Sequence, residues 1–369
     1  MALVKHIFPI PPPYGGVSIY VYRLVQKLND EGHIAGAYHV CSEMTENQID
    51  ASIYTPYKGF SRKRFLSSFI RLTKDTRKYE IVHSHSVFSD SIYLLLLVFF
   101  YKKKIVVTIH NDRAFNNYLK QNLISKLCLK ILARYNITWV AVSEKAMLEL
   151  KKIPIKIQNI SIIPAFIPFS QSLHYSYNLP VEMNTFIDNH SSIIVFYAYK
   201  VLIDYIDIYG CYDVLNMFKS INVGEFRKWK PGLVFCITNV SEDDCDVAKL
   251  KFFSKKNNID SDIYWQIGPI QEMERLWQQT TVYVRPTVND GDSVAIREAL
   301  SMGVSVVASN VTTRPINTIL YQHGNNDDFS NKVKTAIKQA KAIRNHPNYL
   351  DFTYYNQILA IYKKLHTSE

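Results

Sequence analysis

Residues Thr281 to Glu298 constrain the architecture more than any other stretch. Val282 and Val284 are β-branched and lie between turn signals, as a short buried strand requires. Pro286 ends that strand, because it has no N–H for a ladder bond. Asn289, Asp290, Gly291, Asp292 and Ser293 make a polar turn, and Asp292 or Ser293 is positioned to cap a helix running through Val294, Ala295, Ile296, Glu298 and Leu300. Gly303 closes that helix, and Val304–Ala308 reads as the next strand. A glycine-containing turn that opens a helix aims free backbone N–H groups and a positive dipole end at one spot, which suits phosphate. Glu298 lies about one and a half turns in, where its carboxylate can accept from ribose hydroxyls. Asp290 stands at the lip, where a sugar beyond the phosphates would lie. By itself this spacing fits equally well any strand–loop–helix unit with a capped helix.

The run Asp290-Gly291-Asp292-Ser293-Val294-Ala295-Ile296-Arg297-Glu298-Ala299-Leu300-Ser301-Met302-Gly303-Val304 resembles the nucleotide-sugar site of GT-B glycosyltransferases of family GT4. The family has two acids at this separation, usually both Glu; Asp290 is a shorter first member. The resemblance implies an α/β protein of two Rossmann-like doubly wound domains facing a cleft. It implies nucleotide-sugar contacts from Asp290, Gly291, Asp292, Ser293, Val294 and Glu298.

The N-terminal half opens the same way. Leu3–Ile10 reads as a strand, residues 11–16 as a proline-stiffened turn ending in Gly15-Gly16, and Val17–Asn29 as an amphipathic helix. Taken alone, a glycine pair is ordinary loop punctuation. GT4 proteins carry a similar pair here, so the resemblance implies that Gly15 and Gly16 let backbone approach a diphosphate or sugar. The G-x-G-x-x-G fingerprint of dinucleotide enzymes is absent at this turn. Ala35–Val40, Glu80–Ser84 and Ile105–Ile109 read as strands, and His85 and His110 follow the last two, at the edge where open α/β sheets bind ligands. The pair lacks a third ligand at a supporting spacing, so the expectation is no metal. His110 matches the His that GT4 enzymes place near the reacting sugar; as a lone residue it would more often be structural. Ser143 reads as a helix N-cap.

In the C-terminal half, Ile193–Tyr197 starts a second sheet and Lys200 follows it. In the family a basic residue there holds the donor diphosphate, and a second cation follows shortly before a glycine. Here Tyr209 precedes Gly210, which leaves Arg285 as a substitute cation or as a structural strand-end residue. Ile263–Ile267 is a strand ending at Gly268-Pro269, a turn that the family uses to bind the nucleotide base. Trp277 reads as helix packing. Helices are expected over Ser330–Arg344 and Phe352–Leu365, and GT-B folds return the last helix to the first domain. The expected domains are therefore 1–170 plus about 350–369, which would take the acceptor, and 171–349, which would take the nucleotide-sugar.

The chain of 369 residues is long enough for two such cores. Its formal charge of +11 favours anionic partners. With no nucleic-acid-binding motif, lipid and phosphate are the expected classes. A basic helix over Arg62–Lys78 meets one acid, Asp75, and interleaves Phe65, Leu66, Phe69 and Ile70, a pattern that suits either an anionic membrane surface or a solvated face. Five scattered cysteines (Cys41, Cys128, Cys211, Cys236 and Cys245) give no disulfide framework or zinc spacing and read as buried residues of a reducing cytoplasm. Ile92–Tyr101 is too short to span a bilayer and reads as a buried helix, and no export signal is visible.

The resemblance implies a retaining, metal-independent transferase without cofactor. His110, Asp290 and Lys200 would act at the reacting sugar and diphosphate. Family and charge together suggest an acceptor saccharide on a polyprenyl diphosphate at the inner membrane face, as in O-antigen or capsule synthesis. A non-hydrolysing UDP-sugar 2-epimerase and a catalytically silent nucleotide-sugar-binding subunit are the alternatives.

Overall fold

The computed structural model describes residues 1–11, 15–39, 52–56, 65–110, 112–169, 179–270, 273–290, 293–343 and 351–367. The chain divides into two compact units, Met1–Ser170 with Asp351–Glu369, and Gln171–Leu350.

The first unit alternates strands and helices. Its strands are Leu3–Ile10 (β1), Ile34–His39 (β2), Tyr54–Pro56 (β3), Ile81–Ser84 (β4), Lys104–Ile109 (β5), Thr138–Ala141 (β6) and Ile160–Ile162 (β7). Between them run helices Gly16–Asp30 (α1), Phe65–Thr76 (α2), Val87–Tyr101 (α3), Ala114–Leu119 (α4), Leu123–Leu132 (α5) and Glu144–Lys151 (α6). The strands pair in parallel in the order β3-β2-β1-β4-β5-β6-β7. Parallel strands covered on both faces read as continuous apolar runs, and Ile105, Val106 and Val107 of β5 are accordingly 0–1% exposed. Tyr20, Val21, Leu24 and Leu28 of α1 pack onto that core. Ser143 caps α6 as expected, its Oγ accepting from the Ala146 N–H at 3.2 Å.

The second unit holds Val181–Asp188 (α7), Ser192–Ala198 (β8), Cys211–Ile221 (α8), Pro231–Ile237 (β9), Cys245–Lys256 (α9), Ile263–Ile267 (β10), Met273–Gln279 (α10), Val282–Arg285 (β11), Val294–Ser301 (α11), Ser305–Ser309 (β12), Thr318–Tyr321 (β13) and Asn326–Ile343 (α12). Its sheet is again parallel, in the order β10-β9-β8-β11-β12-β13. The chain then returns to the first unit as Thr353–Thr367 (α13), which buries Tyr355, Ile358 and Tyr362.

Three local expectations change, and one falls partly outside the described residues. Helix α3 is not buried throughout: its last turn exposes Phe99, Phe100 and Tyr101. The basic helix is described from Phe65 to Thr76 only, and Arg62, Lys63 and Arg64 lie outside the described residues. The polar stretch after Pro168 contains α7, whose Met183 and Ile187 are buried. Cys245 is exposed, unlike buried Cys211 and Cys236, and Cys41 is outside the described residues.

Candidate functional site

Each sheet reverses its strand order once, between β1 and β4 in the first unit and between β8 and β11 in the second. At such a reversal the connections leave in opposite directions and open a crevice beyond the strand C-termini. Most residues singled out in the sequence lie near these two reversals; Gly268 follows the edge strand β10.

In the second unit, Lys200 follows β8 and is exposed, with no partner among the described residues. Beside it, β11 ends at Arg285 and α11 begins after Ser293. Ser293 is the N-cap, its Oγ accepting from the Ile296 N–H at 3.5 Å. Val294 opens the helix; Gly291 and Asp292 lie outside the described residues. Glu298 is 4% exposed, and its Oε2 accepts from the Trp277 indole N–H at 3.2 Å. Trp277, itself buried against Tyr283, thus packs α10 as expected and also anchors the Glu298 carboxylate. Gly268 follows β10 with φ +93°, a conformation that favours glycine, and its N–H donates to the Ile237 carbonyl at 2.9 Å.

Asp290 is bound differently from a free sugar ligand. Its Oδ2 accepts from Arg285 Nε at 3.0 Å and Arg314 Nη1 at 2.6 Å, and its Oδ1 from Arg285 Nη2 at 3.2 Å. The Thr287 hydroxyl adds a contact at 3.3 Å. Burial by itself would raise the carboxyl, but the two guanidiniums outweigh it and hold it below the usual carboxylate range. Arg285 also donates to the Tyr197 carbonyl and lies over the Tyr209 ring, which favours the structural reading of this arginine. Arg314 was invisible in the sequence, since no motif or spacing ties Thr-Thr-Arg-Pro to the turn 24 residues earlier.

In the first unit, Gly15 is the N-cap of α1, with extended φ of −165°. A methyl built there would meet only Ser18 Oγ, at 3.8 Å. The glycine therefore leaves open space rather than relieving backbone strain. Gly16 is the first residue of α1. Beyond β1, β4 and β5 lies a pocket of about 380 Å³, whose lining includes Phe8, Val17, His85, Ser86, His110 and Lys120. His110 reaches the pocket with one edge, and its Nε2 is 2.8 Å from His85 Nδ1. His85 Nε2 is 3.1 Å from His6 Nδ1, and His83 bonds Tyr362 and Thr108 at 2.6 and 2.7 Å. Burial lowers all four imidazoles, with His6 at about 3.

His6, His83 and His85 lie close enough to share a cation, a third histidine that the sequence spacing did not offer. Yet both nitrogens of His83 and both of His85 are already engaged, and a metal would have to displace those bonds. The residues present do not fit a metal as they stand.

Two parallel Rossmann-like sheets, each with its candidate residues at a strand-order reversal, define an α/β protein of the GT-B type. Residues 14–171 match the family model Glycosyltransferase Family 4. Over 100% of this chain and 99% of the other, the structure resembles a glycosyltransferase from Rickettsia africae, with a TM-score of 0.72 at 14% identity. Anabaena HepE, solved with UDP and glucose, aligns over 99% of this chain and 100% of its own, with a TM-score of 0.69 at 11% identity. A putative UDP-N-acetylglucosamine 2-epimerase from Listeria monocytogenes aligns over 100% and 98%, with a TM-score of 0.62 at 15% identity. At these identities the likeness shows the fold. A search of curated proteins returns no match.

Proposed function

We propose that this protein is a retaining glycosyltransferase that moves a sugar from a UDP-sugar to a saccharide carried on a polyprenyl diphosphate, in O-antigen or capsule synthesis. One observation carries the reading: exposed Lys200 and the Ser293-capped start of α11 flank the reversal between β8 and β11. A free ammonium beside a helix N-terminus suits a diphosphate. HepE was solved with UDP-glucose, which supports UDP as the donor's nucleotide.

In this reading Lys200 and the turn at Gly291 to Ser293 neutralise the leaving diphosphate without a metal. Glu298, oriented by Trp277, receives the ribose, and Gly268 the base. Asp290 serves the donor sugar by holding the turn's shape through its two arginines. His110 serves a sugar in the first unit's pocket, and Gly15 and Gly16 leave room for the acceptor.

An anionic membrane surface completes the reading. Among the described residues no helix is long and apolar enough to cross a membrane. Helix α5, however, turns Leu123, Ile124 and Leu127 outward, each more than half exposed, while Ser125, Leu129 and Leu132 face the core. From Ser91 to Ser143 eight Lys and Arg meet one acid, Asp112. An apolar stripe in a basic field fits an anionic lipid surface at the inner membrane face.

The test is incubation with UDP-sugars and a lipid-diphosphate-linked saccharide. Transfer with retained anomeric configuration, lost in Glu298→Ala and Lys200→Ala, is the expected result. Release of a C2-epimerised donor would favour the epimerase, the reading that the Listeria likeness keeps open. Donor binding without turnover would favour a silent subunit.

A further inference from the structure

The imidazoles behind His110 form a chain that the transferase reading does not use. Strand register sets His6 of β1 beside His83 of β4, and two-residue alternation places His85 on the same face. His110 Nε2, His85 Nδ1, His85 Nε2 and His6 Nδ1 then link three rings in series at 2.8 and 3.1 Å. The far end, His6 Nε2, is buried without a partner among the described residues. Tyr20 packs edge-on against both His85 and His110, and Phe8 against His85, so the rings are held on all sides.

Each N···N bond needs one N–H and one lone pair. Three neutral rings in series therefore have two consistent proton arrangements. In the first, every proton sits on Nε2, and His6 buries an N–H that meets no acceptor. In the second, every proton sits on Nδ1, and His6 buries only a lone pair, while the free N–H belongs to His110 at the pocket. An orphaned N–H is the rarest unpaired group in folded interiors, and an unmet acceptor is commoner. The second arrangement is the cheaper one.

We infer that His6 and His85 are positioning residues that fix His110 as its Nδ1–H tautomer, so that it offers the pocket a hydrogen-bond donor and not a base. Its ligand is therefore an acceptor atom, a sugar hydroxyl or phosphate oxygen. This deepens the reading of His110 as the sugar-facing histidine and rests on it. Burial keeps the rings neutral near neutral pH, since His6 charges only at about 3 and His85 lies well below the ordinary histidine range. Lys5, behind His6 on the same strand, disfavours a charged ring further. Lys120, on the pocket wall, adds a cation to the side that His110 faces.

Long-range 1H–15N correlation spectra of histidine-labelled protein at pH 7.5 test this without any substrate. The expected pattern for His6, His85 and His110 is Nδ1–H, against the Nε2–H form that free histidine favours. An Nε2–H pattern at His110 overturns the inference. His6→Glu puts an acceptor where the chain ended in a donor, so His85 should turn its Nε2–H toward the carboxylate and His110 should switch to Nε2–H. In the transfer assay the same variant should lower kcat about tenfold, the low end of what a partner behind a working histidine is worth, with donor KM unchanged. An unchanged tautomer or an unchanged kcat overturns the positioning role. If His6→Glu does not fold, the parent spectrum alone decides, and if no donor is ever turned over, the tautomer result still stands apart from the transferase reading.

Discussion

Asp90 sits in the first turn of α3 and is 4% exposed. Burial pushes its carboxyl up to about 7, against hydrogen bonds from the Ser84 and Ser89 hydroxyls that favour the charged form. Between the ordinary carboxylate range and pH 7 the folded chain therefore holds a proton that the unfolded chain has lost. Stability falls as pH rises through that window and levels off above it. Asp90→Asn keeps the neutral state at every pH. Its advantage over the parent is expected to grow by about 1.4 kcal/mol per pH unit between pH 4 and 7, and so to be about 2–3 kcal/mol larger above pH 8 than at pH 5; urea midpoints at both pH values measure this. A constant difference would show that the site is not titrating. The sequence carried no sign of Asp90, because its environment is made by β4 and the first turn of α3. It was likewise silent on Lys5, which reads as a stray charge in β1 yet is buried, with its ammonium donating to the Ala37 carbonyl at 2.8 Å and Thr55 at 2.9 Å.

At the scale of elements, the turn after β11 is fastened by Asp290 between two arginines. Removing one side of a buried, hydrogen-bonded ion pair costs about 3–5 kcal/mol, since the partner charges stay buried. Asp290→Ala should therefore lower the melting temperature of the second unit, and UDP binding should weaken because the start of α11 loosens. If stability is untouched while donor-sugar discrimination is lost, Asp290 contacts the sugar directly. Helix α5 makes its own prediction. Leu123→Glu and Ile124→Glu together should abolish flotation with anionic vesicles at low salt and leave melting unchanged, because both side chains already face water. Flotation that survives would move the lipid contact elsewhere. Strands and helix caps were legible because each depends on a few neighbouring residues: Val282 to Arg285 and Ser305 to Ser309 lie within a residue of where the β-branched runs put them. Helix α5 was not read at all, because its outward leucines break the inward apolar stripe that marks a core helix.

For the molecule as a whole, the two parallel sheets and their α/β class were legible from alternating apolar runs and glycine turns. What linked distant residues was not: the Arg314 pair and the histidine chain join segments whose proximity only the fold creates. Four buried imidazoles in one unit give it an acid weakness. Below pH 6.5 the unfolded chain binds protons that these rings refuse, so their contribution to stability falls with falling pH and is flat above. At about 1.4 kcal/mol per ring per pH unit, the four together approach about 5.5 kcal/mol per unit once titration is complete. Hydrogen exchange followed by mass spectrometry should find protection in β1, β4 and β5 collapsing between pH 6 and 5, while β8, β9 and β11, which lack such rings, persist. Equal loss in both sheets would refute this.

The bond from His83 to Tyr362 spans 279 positions. During translation Tyr362 has not yet been synthesised when every strand of the first unit has emerged, so the nascent sheet must wait with that side uncovered while residues 171–350 are made. The second unit, made of one unbroken segment, is free to finish earlier. Production of the protein should accordingly depend on chaperones that shield early-emerging apolar strands, and a stop codon just before α13 should send the first unit, rather than the second, to the proteases.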